Sequence, residues 1–189
     1  MIKKVFFTSF LVVTASLSHA ENMDGEPVGS YVSANVGYAN VQNWWTGSLA
    51  LTVNGGYQFN RFFATEVGAT WINGIPAQYP SNSNRSGTYG QNQSFFDVAA
   101  KGSLPFSDIF NVYIKGGIGV GLSQTDAVSS GQFSAPSAGL STGLYLALGG
   151  EFKLTNNLQL VVEDYGMLPF VGDYWGNINV MGAGLKYNF

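Results

Sequence analysis

The chain has 189 residues, 10% of them charged, 15% aromatic, with 25 glycines, no cysteine and a formal net charge of −3. A soluble domain typically carries about a quarter charged residues, so something other than charge must suit this surface to its surroundings. No basic patch invites nucleic acid, and the absence of cysteine excludes a disulfide framework and any thiolate metal site.

Residues 1–20 read as an export signal. Lys3 and Lys4 give a basic start, Val5 to Val13 an almost unbroken apolar run, and Ser18-His19-Ala20 a small-residue cleavage site. The apolar run is too short for a spanning helix, which needs roughly 20 residues. Cleavage is expected after Ala20. The mature domain, 21–189, then keeps six basic residues against eleven acidic ones, about −5, and loses His19, the single histidine. No cofactor, no metal and no catalytic residue is expected.

Eight segments then alternate with period two, as strands do when successive side chains point to opposite faces. Val32, Ala34, Val36 and Tyr38 oppose Ser33, Asn35 and Gly37; Leu49, Leu51, Val53, Tyr57 and Phe59 oppose Ser48, Ala50, Thr52, Asn54 and Gln58. Phe63, Val67, Ala69 and Trp71 oppose Ala64, Glu66, Gly68 and Thr70, and Phe96, Val98, Ala100 and Leu104 oppose Asp97, Lys101 and Ser103. Val112, Ile114, Ile118, Val120 and Leu122 oppose Tyr113, Lys115, Gly117 and Gly119, and Leu140 to Phe152 opposes Ser141, Gly143, Tyr145, Ala147 and Glu151. Two weaker segments set Leu158, Leu160 and Val162 against Gln159 and Glu163, and Met181 to Phe189 against Gly182, Gly184 and Lys186. Asp164 falls on the apolar face, near the expected outer end of its strand.

Connections alternate in length. Asn60-Arg61, Ser107-Asp108 and Lys153 to Asn157 are tight; Asn40 to Thr46, Ile72 to Asn92, Ser123 to Ser137 and Gly166 to Tyr174 are long and rich in Gly, Ser, Asn and Pro. Short periplasmic turns, longer outer loops and aromatic girdles define an outer-membrane barrel. Tyr57, Phe59, Phe62, Phe63, Phe106, Phe110, Phe152, Tyr187 and Phe189 would form the periplasmic girdle, and Tyr38, Trp44, Trp45, Trp71 and Trp175 the outer one. The expected fold is all-β, an eight-stranded antiparallel up-and-down transmembrane β-barrel. A soluble lipocalin-like carrier, its apolar rows turned inward, is the competing arrangement.

The polar face holds mostly small residues with a few charges of mixed sign. Glu66, Lys101, Lys115, Glu163 and Lys186 lie at similar depth, with Asp97 higher and Glu151 near the rim. Buried charges are costly unless paired, so these seven residues are expected to form a lumenal ionic network rather than an acid–base centre.

The chain resembles the small outer-membrane barrels typified by the OmpA transmembrane domain and OmpX-type proteins. The resemblance rests on Ser30 to Tyr38, on Phe96 to Pro105, and on the closing Gly184-Leu185-Lys186-Tyr187-Asn188-Phe189. That ending is similar to the signal read by the barrel assembly machinery, with Gly184, Tyr187 and Phe189 as its elements, although Gly182 stands where a polar residue is usual. No peptidoglycan-binding domain is expected. The resemblance implies a monomer in the bacterial outer membrane among lipid and lipopolysaccharide. Its role would be structural or adhesion-like and carried by outer loops, with Tyr79, Arg85 and Tyr89 as candidate contacts to a host or surface ligand. The same fold also serves lipid-modifying enzymes and small pores. The first is opposed by the missing histidine, the second by a lumen filled with Glu66, Tyr113, Tyr145 and Lys186.

Overall fold

The computed structural model describes residues 20–21, 27–41, 47–78, 88–126, 137–171 and 177–189. A two-residue strand, β1 (Ala20–Glu21), pairs with the start of β2 (Pro27–Val41). There follow β3 (Gly47–Gln58), β4 (Phe63–Gln78), β5 (Thr88–Ser107), β6 (Phe110–Asp126), β7 (Ser137–Lys153), β8 (Leu158–Val171) and β9 (Ile178–Asn188). Each strand from β2 onward pairs antiparallel with the next, and β9 returns to β2 from Val41↔Ile178 to Tyr31↔Asn188. This last pairing closes eight strands into a barrel. Closure matters energetically, because an open edge would leave unpaired N–H and C=O groups in hydrocarbon, at several kcal/mol each.

Alternation decides the orientation. Leu49 is 67% exposed, Ile118 67% and Met181 65%, whereas Asn54, Glu163 and Tyr31 are each 1% exposed. The aliphatic rows face outward and the polar row fills the lumen, the reverse of a lipocalin-like carrier. A continuous apolar belt of this size cannot stay solvated in water; it suits acyl chains.

The three tight turns are fixed by short polar side chains capping backbone groups. Asn60 Oδ1 accepts from the amides of Phe62 (2.8 Å) and Phe63 (3.0 Å). Thr155 Oγ1 accepts from Leu158 N at 3.0 Å, and Ser107 Oγ from Ile109 N at 3.4 Å. Asn and Ser/Thr do this because their side chains reach back to the backbone two or three residues away.

At the opposite end the strands run further than the sequence suggests. β4 reaches Gln78 and β5 begins at Thr88, within the stretch expected to be a loop from Ile72 to Asn92; β6 continues to Asp126 and β8 to Val171. The alternation breaks at Asn73-Gly74, where the register shifts between Ile72 and Ile75, but backbone pairing resumes beyond the irregularity. Gly, Asn and Pro thus mark a bulge here rather than the end of the ladder. One correction follows: Asp164 sits in the middle of β8, not near its outer end.

Candidate functional site: a lumen filled in two layers

The ionic residues lie on successive strands: Glu66 on β4, Lys101 on β5, Lys115 on β6, Glu151 on β7, Glu163 on β8 and Lys186 on β9. Each is at most 5% exposed. Lys115 Nζ lies 2.5 Å from Glu163 Oε2 and 2.6 Å from Glu66 Oε2. Lys101 Nζ lies 3.6 Å from Glu66 Oε1 and is paired with Glu151, which Lys186 Nζ also reaches at 3.1 Å. The result is one chain of alternating sign, Glu163–Lys115–Glu66–Lys101–Glu151–Lys186, whose three carboxylates and three ammoniums balance.

Tyrosines complete it. Tyr31 of β2 donates its hydroxyl to Glu66 Oε1 (2.5 Å), and Tyr113 of β6 donates to Glu163 Oε2 (2.6 Å). Lys186 Nζ lies 4.1 Å from the Tyr31 ring centroid and Lys101 Nζ 4.1 Å from that of Tyr113. Gln58 of β3 adds Oε1 at 3.4 Å from Lys186 Nζ. Every barrel strand therefore contributes a side chain to one buried layer.

Glu151, placed near the rim by counting along its strand, instead joins two lysines, because the long side chains of Lys101 and Lys186 reach toward it. Asp97 stands apart. It is 4% exposed, its register neighbours are Gly68 and Gly119, and its Oδ1 has no hydrogen-bond partner among the described residues.

The layer has room because Tyr31 and Tyr113 each lie over a glycine on the neighbouring strand, Gly56 and Gly149, their register partners. A Cβ on either glycine would run into the tyrosine ring and lie within 2.8 Å of a backbone carbonyl. Gly149→Val should therefore destabilise the barrel by about 1–3 kcal/mol through overpacking. Gly116→Ala is the control, because its methyl would meet only Leu146 Cδ2 at 3.9 Å. Urea midpoints of the two variants should separate; equal midpoints would count against this packing.

Above the ions lies an apolar layer that the alternation did not reveal. Phe95, Tyr145 and Tyr165 pack against one another as tilted rings, with centroids 6.2 to 6.4 Å apart. Ala39, Ala50, Ile72, Met167, Ile178 and Val180, all buried, pack around them. The Tyr165 hydroxyl is hydrogen-bonded to Thr52 Oγ1, which also meets Thr70 Oγ1 at 2.8 Å. The available clue was the adjacent pair Phe95-Phe96: consecutive strand residues face opposite ways, so one of the two had to turn inward.

Of the girdle residues, Tyr57 and Phe59, Phe106 and Phe110, Phe110 and Phe152, and Tyr187 and Phe189 make ring contacts at the tight-turn end. Trp44, Trp45 and Trp175 lie outside the described residues, as do the loop candidates Tyr79 and Arg85. Tyr89 lies on β5, opposite Ala77. The terminal residues of the expected assembly signal belong to the closing strand: Gly184 pairs with Asn35 and Val161, Tyr187 with Val32 and Leu158, and Phe189 N donates to Ser30 O at 3.1 Å.

The family model of the outer membrane protein beta-barrel domain matches residues 8–189. This chain belongs to that family. Among solved structures, the barrel is similar to Neisserial surface protein A, with TM-score 0.64 and 13% identity, covering 85% of this chain and 96% of that one. It is similar to OprG from Pseudomonas aeruginosa, with TM-score 0.63 and 14% identity over 89% and 99% of the two chains. It is also similar to Ail, the attachment invasion locus protein of Yersinia pestis solved with the heparin analogue sucrose octasulfate, with TM-score 0.57 and 12% identity over 85% and 96%. No curated protein sequence matches the chain. The protein is an outer-membrane barrel of the bacterial envelope, with its tight turns gathered at one end of the barrel and its longer strand extensions at the other.

Proposed function

We propose that the protein is a non-enzymatic outer-membrane anchor whose outer loops carry a surface-interaction, adhesion-like role. The observation behind this reading is the filled lumen: among the described residues, six of the seven buried charged side chains are engaged with one another, and the aromatic layer lies across the barrel above them. A carboxylate held by two ammoniums is poorly placed to exchange protons with a substrate. Recognition is then left to the extended outer hairpins. The connecting segments carry Trp44, Trp45, Tyr79, Arg85 and Trp175 among many Asn, Ser and Gly residues. Rigid aromatics supply contact area at low entropic cost, and the small polar residues supply adaptable hydrogen bonds. Ail, named for attachment, shares the fold. The lipid and lipopolysaccharide around the belt, and the assembly machinery reading Gly184, Tyr187 and Phe189, are part of the same proposal.

Expression in a non-adherent bacterium should raise its binding to epithelial cells. The double substitution Tyr79→Ala with Arg85→Ala should then lower that binding by about tenfold or more, since Tyr and Arg are typical interface anchors. The heat-modifiable gel mobility of the barrel should be unchanged. Undiminished binding, or binding no higher than in the empty strain, would remove the adhesion reading. Stable openings in planar bilayers would favour a pore instead.

A further inference from the structure

Asp164 faces away from the lumen on β8, in register with Leu148 of β7 and Met181 of β9, and its side chain is exposed. Apolar outward residues flank it along the same strand, Leu160 and Val162 below, Leu168 and Phe170 above. At ~3.3 Å per residue and a tilt of about 40°, it lies roughly 15 Å in depth above Leu158, well inside an apolar band about 25 Å tall. Among the described residues it is the charged side chain on the outward wall between the two girdles.

Among the described residues it has one hydrogen-bond partner. Asn179 Nδ2 of β9 donates to Asp164 Oδ1 at 2.7 Å. Asn179 is in register with Asn40 of β2, also exposed, so a polar row climbs across β8, β9 and β2 toward the outer end. An asparagine amide has two hydrogens and a carboxylate about four acceptor positions, so a single bond leaves most of this capacity facing hydrocarbon. Ionisable groups at such depth are costly and mark contacts or function. Small outward residues border the row: Gly166 on β8, Ala183 on β9 and Ala34 on β2. Small residues let backbones approach closely within a membrane, where polar groups then bond across the interface.

We propose that the β8–β9–β2 wall is where two copies of this barrel meet in the membrane, about a twofold axis along the membrane normal. That axis brings equal depths of the two copies together. The Asp164–Asn179 pair holds spare acceptor positions and an unused amide hydrogen, so Asn179 of each copy can donate to Asp164 of the other. The assembly differs from the monomer that the family resemblance implies.

The chain has no cysteine, so single cysteines report proximity cleanly. Met181→Cys sits beside Asp164, and Ile118→Cys lies on β6, three strands away around the barrel wall. In intact outer membranes, Met181→Cys should cross-link into homodimers at least severalfold more than Ile118→Cys. Adding Asp164→Leu should reduce that yield to the control level while the heat-modifiable band persists. Should Asp164→Leu fail to fold, Asn179→Leu serves the same purpose. Equal cross-linking at the two positions, or an undiminished yield in the folded leucine variant, would overturn the dimer.

Discussion

Lys115→Ala should lower the stability of the barrel by about 3–5 kcal/mol, the cost of leaving buried charge unpaired. Lys115 is the residue whose loss strands most charge. Glu163 would keep only the Tyr113 hydroxyl, and Glu66 would keep Tyr31 and the more distant Lys101 at 3.6 Å. Lys186→Ala should cost less, because Glu151 retains Lys101. The origin of the effect is checked by removing one charge of each sign: Lys115→Met combined with Glu163→Gln leaves Glu66, Lys101, Glu151 and Lys186, two carboxylates against two ammoniums, and should recover much of the loss. Urea unfolding from lipid vesicles, followed by tryptophan fluorescence and gel mobility, measures all of these. Midpoints for Lys115→Ala and Lys101→Ala that match the parent would show that the ionic layer does not stabilise the fold.

Phe95→Ala should cost about 3–5 kcal/mol for a different reason, the cavity left when a fully buried ring is truncated. Phe95 is 0% exposed and packs against both Tyr145 and Tyr165, the latter held through Thr52. Close-packed neighbours relax only partly into such a gap. The two layers also make a paired prediction about permeation. Phe95→Ala alone should remain silent in planar bilayers, because the ionic layer beneath still fills the lumen. Combined with Lys115→Ala it should admit brief ion openings. Steady conductance from Phe95→Ala alone would show that the aromatic layer is the sole barrier.

Most of the wall was legible in the sequence because period-two alternation is a direct consequence of the pleat, and a one-residue slip would invert every side chain. Leu49 to Phe59 shows it most plainly. The charges were legible too, since Glu66, Lys101, Lys115, Glu163 and Lys186 lie at similar counts from the tight turns. Glu151 was harder to place, because its partners reach it through long, flexible lysine stems whose direction no spacing rule gives. The aromatic layer was hidden for another reason. Ile72, Phe95, Met167 and Ile178 are apolar residues on the lumenal face, so they look like interruptions of the pattern instead of part of it. Strand ends were read short wherever Gly, Asn or Pro appeared, as at Asn73-Gly74 and Pro169, because these residues interrupt the regular ladder locally without necessarily ending it.

The seam between β2 and β9 has a consequence for the order of events in biogenesis. Neighbouring hairpins can form from residues close together along the chain, but Tyr31 must find Asn188, almost the entire polypeptide away. Such a join carries a large loop-closure entropy and is slow to form unaided. A chain stalled or clipped before Ile178 would hold two raw edges with nothing to mate them. Secretion of the last dozen residues, rather than the appearance of any earlier hairpin, is therefore the step at which a harmless membrane protein is separated from an aggregation hazard.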